Sequence, residues 1–149
     1  MQALELSIIL PVKDAERELP GILQFMETQT EGLEKEIIVV DMGSSDRTVW
    51  EAVQFITGRE IHGCVVQNGP GTVPAALNTG LQKAAGEYVS FIFARRLYRD
   101  FIRGYLETAR RMEADLIYGS ANEAEAKLAS RRAINILAPK RLSGPELLK

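Results

Sequence analysis

The sequence predicts an α/β domain, a doubly wound and mostly parallel sheet flanked by helices. Three observations carry this. Leu6–Leu10 and Glu36–Asp41 are short, nearly continuous apolar runs, the composition of strands buried on both faces. Segments with apolar residues at helical spacing stand between such runs. The two kinds alternate along 149 residues without a repeat or a low-complexity linker, so a single domain, 1–149, is expected.

The elements follow in order. Leu6–Leu10 is the first strand, ended by Pro11. Pro20 suits the first turn of a helix to about Gln29, with Leu19, Ile22, Leu23 and Met26 on its apolar face. Glu36–Asp41 is the second strand. Ser45 or Asp46 is expected to cap a helix carrying Val49, Trp50, Val53 and Ile56, stopped by Gly58. Ile61–Gln67 is a third strand, weakened by Gly63. The turn Asn68-Gly-Pro-Gly71 leads into a helix over about 73–85, with Gly86 as its stop. Glu87–Phe93 is the fourth strand, and a helix over about 100–112 follows. Asp115–Tyr118 is a fifth strand, and 123–137 a last helix within a basic C-terminal segment, 121–149.

Bulk composition is that of a globular domain, with 46% hydrophobic and 26% charged residues. A net charge of −2 gives no sign of a nucleic-acid partner. Cys64 is the sole cysteine, expected as a small buried hydrophobe in a reducing compartment. The N-terminus lacks a signal-peptide pattern, and no run approaches the roughly 18 apolar residues of a membrane span, so a cytoplasmic location is expected. Charge is uneven locally. Six arginines lie between Arg95 and Arg111, and six basic residues between Lys127 and Lys149. Solvated helix faces account for most such clusters; contact with phosphate, an anionic membrane surface or a protein partner is the alternative.

Ligands of open parallel sheets bind beyond the carboxyl ends of the strands. That edge gathers Pro11, Val12, Lys13 and Asp14, then Asp41–Ser44, Asn68–Gly69 and Phe93–Arg96. Neither the glycine-rich dinucleotide fingerprint nor the Walker phosphate loop is present. His62 and Cys64 have no partner motif, and no zinc-ligand cluster is visible. Asp41 emerges at a strand end, where it can serve a ligand or accept hydrogen bonds within its own turn. Asp46 suits a helix cap better than a ligand contact.

The runs Leu6-Ser-Ile-Ile-Leu-Pro-Val12 and Glu36-Ile-Ile-Val-Val-Asp-Met-Gly-Ser-Ser-Asp-Arg-Thr48, followed by Asn78-Thr-Gly80 and Gly86-Glu-Tyr-Val-Ser-Phe91, resemble the nucleotide-sugar glycosyltransferases of family 2. The resemblance covers about residues 6–120 and implies a GT-A fold. It implies a nucleotide site drawn from Pro11, Val12, Asp14, Asp41, Gly43, Ser44 and Asn68, with a nucleotide-sugar as partner. Asn78 and Gly80 are assigned to packing and loop anchoring.

The departures from the family pattern form a set. Its paired Asp-Asp after the second strand is Asp41-Met42 here, and its frequent arginine before the helical Asn-x-Gly is Leu77. Its Asp-x-Asp metal motif is Phe93-Ala94-Arg95, and a frequent further acid is Arg96. A divalent metal needs oxygen ligands, so no metal and no cofactor is expected, although the family usually uses Mn²⁺ or Mg²⁺. No catalytic base stands out. The expected function is a transferase-like protein whose activity is lost or impaired. One alternative is a non-catalytic binding, regulatory or partner subunit. Another is a metal-independent transferase in which Arg95 and Arg96, with Arg99, clamp the diphosphate. A third is that residues beyond Lys149 in a longer protein supply the base.

Overall fold

The computed structural model describes residues 3–93, 101–114, 117–119 and 135–139. The elements are β1 (Leu6–Val12), α1 (Leu19–Gln29), β2 (Lys35–Asp41), α2 (Thr48–Gly58), β3 (Gly63–Gln67), α3 (Val73–Lys83), β4 (Tyr88–Phe91), α4 (Phe101–Met112), β5 (Ile117–Gly119) and β6 (Asn135–Pro139). They build one sheet in the order β3-β2-β1-β4-β6-β5. The first four strands run parallel. β6 is antiparallel to both β4 and β5.

The apolar runs behave as their composition requires. Every residue of β1 and β4, and every residue of β2 after Lys35, is buried. Alternate side chains feed two cores. Leu6, Ile8, Leu10, Ile37 and Val39 pack against α1, α2 and α4 through residues such as Leu23, Met26, Ile56 and Leu106. Ile9, Ile38, Val40, Val89 and Phe91 pack against Ala76 and Leu77 of α3. Helices therefore cover both faces, and each buried aliphatic side chain contributes about 1.5–3 kcal/mol relative to exposure. Among the described residues no helix is long and apolar enough to cross a membrane.

The structure corrects four expectations. Pro11 does not end β1, which continues to Val12. Neighbouring residues of a parallel strand bond opposite partners: Ile9 accepts from Ile92 of the β4 side, and Val12 from Met42 of the β2 side. Pro11 thus faces the β4 side, where pairing stops at Ile9–Phe91, and its absent N–H breaks no ladder bond. The second helix begins at Thr48, with neither Ser45 nor Asp46 at its N-cap. Asp46 Oδ1 still accepts the Thr48 N–H at 3.0 Å, one residue earlier than a cap would stand.

Gly86 does not stop α3, which ends at Lys83. A side chain there would strike β1, with a Cβ 2.6 Å from Ser7 N and 2.7 Å from Leu6 C. Finally, residues 135–137 are strand, not the end of a helix. Asn135-Ile-Leu-Ala-Pro139 is too short for period to separate strand from helix, and the open edge of β4 decides in favour of pairing. The remainder of 121–149, including its basic residues, lies outside the described residues.

Candidate functional site

The carboxyl ends of three parallel strands meet in register. Val12 pairs with Asp41, and Asp41 with Gln67. The ladder runs one residue further on each side: Met42 N donates to Val12 O at 2.9 Å, and Asn68 N to Asp41 O at 2.8 Å. Pro11, Val12, Asp14, Asp41, Gly43, Ser44 and Asn68 are therefore brought to one sheet edge.

Asp41 is 3% exposed, and its carboxylate turns into its own loop. It accepts the N–H of Gly43 and of Ser44, each at 3.2 Å. Gly43 has φ +82°, and a Cβ there would stand 3.0 Å from Pro70 N. A side chain is therefore disfavoured twice, by backbone strain and by close contact with the loop after β3. The role of Asp41 as a turn acceptor, open on sequence grounds, is the one its hydrogen bonds display.

The loops after β1 and β2 hold one another reciprocally. Asp14 N donates to Ser44 Oγ at 2.9 Å, while Ser45 N donates back to Asp14 Oδ1 at 2.8 Å. Ala15 N donates to Thr48 Oγ1 at 2.7 Å. Glu16 N donates to Asp46 Oδ2 at 3.2 Å, and Arg47 N to Glu16 Oε2 at 2.9 Å. Asp14 is held at φ 45°, a conformation that aspartate tolerates better than most residues. Backbone donors that strand geometry leaves free at the loop are thus satisfied by side chains.

Asn68 ends the third loop's approach. Thr79 Oγ1, on α3, donates to Asn68 Oδ1 at 2.8 Å. One residue earlier, Asn78 Oδ1 is buried with no hydrogen-bond partner among the described residues. Gly80 lets α3 close on β1, since a Cβ there would stand 2.4 Å from Ile9 Cγ2. Arg95, Arg96 and Arg99 lie outside the described residues. Phe93, which precedes them, is 45% exposed.

Sequence reasoning missed Glu16, Thr48 and Thr79, because their roles depend on loops brought together from distant positions. Thr48 beside Asp46 carried the one local signal, an acid preceding a helix start. Among the described residues no group of three or more His, Cys, Asp or Glu side chains could hold a metal ion. His62 is exposed, and burial pushes the Cys64 thiol up, which disfavours thiolate chemistry. A surface cavity of about 360 Å³ lies at the opposite end of the sheet, lined by Glu27, Glu31, Lys35 and Arg59. Its cations are engaged: Arg59 pairs with Glu27 at 2.6 Å, and Lys35 Nζ donates to Thr30 O at 2.9 Å.

The loop clasp sets a pH dependence. The Thr48 hydroxyl, joined by the N–H groups of Thr48 and Glu16, holds the Asp46 carboxyl below its ordinary value of 3.8. Arg110 does the same for Glu5 through a 2.7 Å hydrogen bond. A carboxyl lowered by folding stabilises the protein fully above its unfolded value and loses that contribution as pH falls through the lowered one. The melting temperature is expected to hold from neutral pH to the ordinary aspartate range and to decline below it. Asp46→Asn should make that acid decline shallower; an unchanged profile would remove Asp46 from this role.

A family model described as glycosyl transferase family 2 matches residues 7–127. A comparison with curated proteins finds no match. Solved structures share the fold. A mannosyltransferase from Pyrobaculum calidifontis, in complex with GDP-Man and Mn²⁺, superposes with a TM-score of 0.78 at 17% identity, covering 95% of this chain and 46% of that one. Glucosyl-3-phosphoglycerate synthase from Mycobacterium tuberculosis, in complex with Mn²⁺, UDP and glucosyl-3-phosphoglycerate, gives 0.68 at 20%, covering 93% and 58%. TarS 1–349 from S. aureus gives 0.66 at 21%, covering 76% and 34%. The chain thus spans between about a third and three-fifths of these neighbours' lengths. The likeness establishes a GT-A fold. With the match over residues 7–127, it follows that the chain belongs to glycosyl transferase family 2.

Proposed function

We propose that this chain keeps a nucleotide-sugar site at the carboxyl edge of its sheet and has lost most or all of its capacity for sugar transfer. The observation that carries this is the donor set at the end of β4. Phe93 and Ala94 have no side-chain oxygen, and Arg95 and Arg96 are permanent cations. Oxygen-loving divalent ions do not fit such a set. A cation facing a metal at about 4 Å is repelled by roughly 4 kcal/mol per unit charge at an effective dielectric of about 20. The carboxylates of the neighbouring loops are engaged as well, Asp41 by its own turn, and Asp14 and Asp46 by the loop clasp. No carboxylate or histidine among them is free to act as a base toward an acceptor hydroxyl.

Without a metal, the reading relies on backbone N–H groups and arginine for the diphosphate. A second reading rests on that same run of cations: Arg95 and Arg96 replace the metal, and transfer persists without it. Calorimetric titration with UDP-, GDP- and CDP-sugars, with and without Mn²⁺, separates these, combined with an assay for nucleotide release. The expected result is saturable binding that Mn²⁺ does not change, with no release. Metal-independent release that Arg95→Ala and Arg96→Ala weaken about ten- to hundredfold supports the clamp instead. Metal-dependent binding overturns both, and no binding at millimolar ligand leaves a partner or regulatory module.

A further inference from the structure

β3 stands at one end of the sheet order, with β2 as its sole neighbour among the described residues. Two hydrogen bonds fix how its main chain faces. His62 O accepts from Ile37 N at 3.0 Å, and Asn68 N donates to Asp41 O at 2.8 Å, so both point to β2. In an extended strand the N–H and C=O of one peptide point opposite ways, and neighbouring residues alternate. Gly63, Val65 and Gln67 therefore turn both N–H and C=O to the open side, where no described residue bonds to them. This open run is bounded. Ile61 gives its N–H to Ile56 O at 3.0 Å, and Gly69 leaves the strand at φ +67°. Nothing within it blocks a neighbour: Gly63-Cys-Val-Val-Gln67 holds neither charge nor proline, the usual protections of an edge.

We propose that this edge pairs with the same edge of a second copy, antiparallel about a two-fold axis through Val65. The open run is symmetric about that residue. In this register Val65 exchanges two bonds with its counterpart, and Gly63 does the same with Gln67 of the second copy. Every open donor and acceptor of both strands is met, and the contact closes instead of propagating. The side chains fit the same register. Gln67, the longest, lies beside Gly63, which has none. On the opposite face Cys64 stands against Val66 of the second copy. The nearest charges before the strand, Arg59 and Glu60, fall opposite Gly71 and Pro70, so no like charges meet. On the Val65 side of the sheet, α2 joins the core through Phe55 and Ile56 and leaves Val53 38% and Trp50 49% exposed, apolar surface for the two copies to cover.

Pairing needs no nucleotide, so its test stands apart from donor binding. Sedimentation velocity of the full chain, from micromolar to millimolar concentration, is expected to show monomer passing to dimer and no further. Gln67→Pro deletes an outward N–H without touching the β2 ladder, and Val65→Lys sets two ammonium groups side by side. Each should weaken the dimer at least about tenfold, with thermal melts verifying that the variants are folded. Val66→Cys probes the register. The new thiol faces Cys64 of the second copy across a Cα separation of about 4.5 Å, which a disulfide spans. Mild oxidation should give a reducible covalent dimer, and the same substitution combined with Cys64→Ala should give none. A monomer at millimolar concentration overturns the pairing and leaves the edge to a strand of another protein. A dimer that both edge variants leave intact, open-ended oligomers, or cross-linking that fails or proceeds equally without Cys64 also overturns it.

Discussion

Gly86→Ala is expected to destabilise the protein by about 3 kcal/mol, near the upper end of what overpacking a core usually costs. The added Cβ would stand 2.6 Å from Ser7 N, 2.7 Å from Leu6 C and 2.8 Å from Ser7 Oγ. Two of these three are backbone atoms of β1, a strand paired on both sides, so no flexible side chain can yield to make room. Moving Gly86 away would also stretch the 2.8 Å bond from its N–H to Ser7 Oγ. Gly58→Ala is the matched control. A Cβ at Gly58 meets nothing within 4 Å, and alanine there should be neutral or stabilising by up to about 1 kcal/mol. Urea unfolding of the two variants measures the contrast. A Gly86→Ala midpoint indistinguishable from wild type would show that β1 and the α3–β4 turn separate freely.

Glu36→Ala should cost about as much, by a different route. The residue is 6% exposed at the amino end of β2. Its Oε1 accepts the Ser7 hydroxyl at 2.5 Å and the Ala85 N–H at 2.6 Å, and Ser7 Oγ in turn accepts from Gly86. Alanine removes the acceptor and strands the buried Ser7 hydroxyl at about 1–3 kcal/mol, while the part-buried Ala85 N–H loses its partner at a smaller cost. Glu36→Gln keeps an oxygen in the same position, since both bonds use one carboxylate oxygen, and should cost under about 1 kcal/mol. Equal losses for alanine and glutamine would mean that the charge matters rather than the hydrogen bonds. Chemical denaturation distinguishes the two, provided the slopes match wild type.

What was legible in the sequence follows the physics of each signal. β1, β2 and β4 were visible because strands buried on both faces must be apolar throughout. β6 was not, because five residues carry too little period and its partner residues in β4 lie 47 to 51 positions away. Pro11 misled because the side of a strand on which a missing N–H falls depends on where its neighbour ends. Gly86 was noticed for the wrong reason: a glycine after a helix suggests a cap, and only the packing against Ser7 shows a close approach. At the site, Asp41 and Asn68 were found because strand ends are readable. Thr79 was not, since nothing in local spacing shows that α3 returns to meet Asn68.

The reciprocal clasp between the loops after β1 and β2 also bears on how this edge moves. Five loop amides, those of Asp14, Ala15, Glu16, Ser45 and Arg47, are each held by a side chain of the opposite loop. Neither loop can lift without exposing donors on both. Their solvent exchange then becomes one concerted opening rather than five independent ones, and its free energy belongs to the pair. A surface segment that would ordinarily fray residue by residue becomes a single cooperative unit.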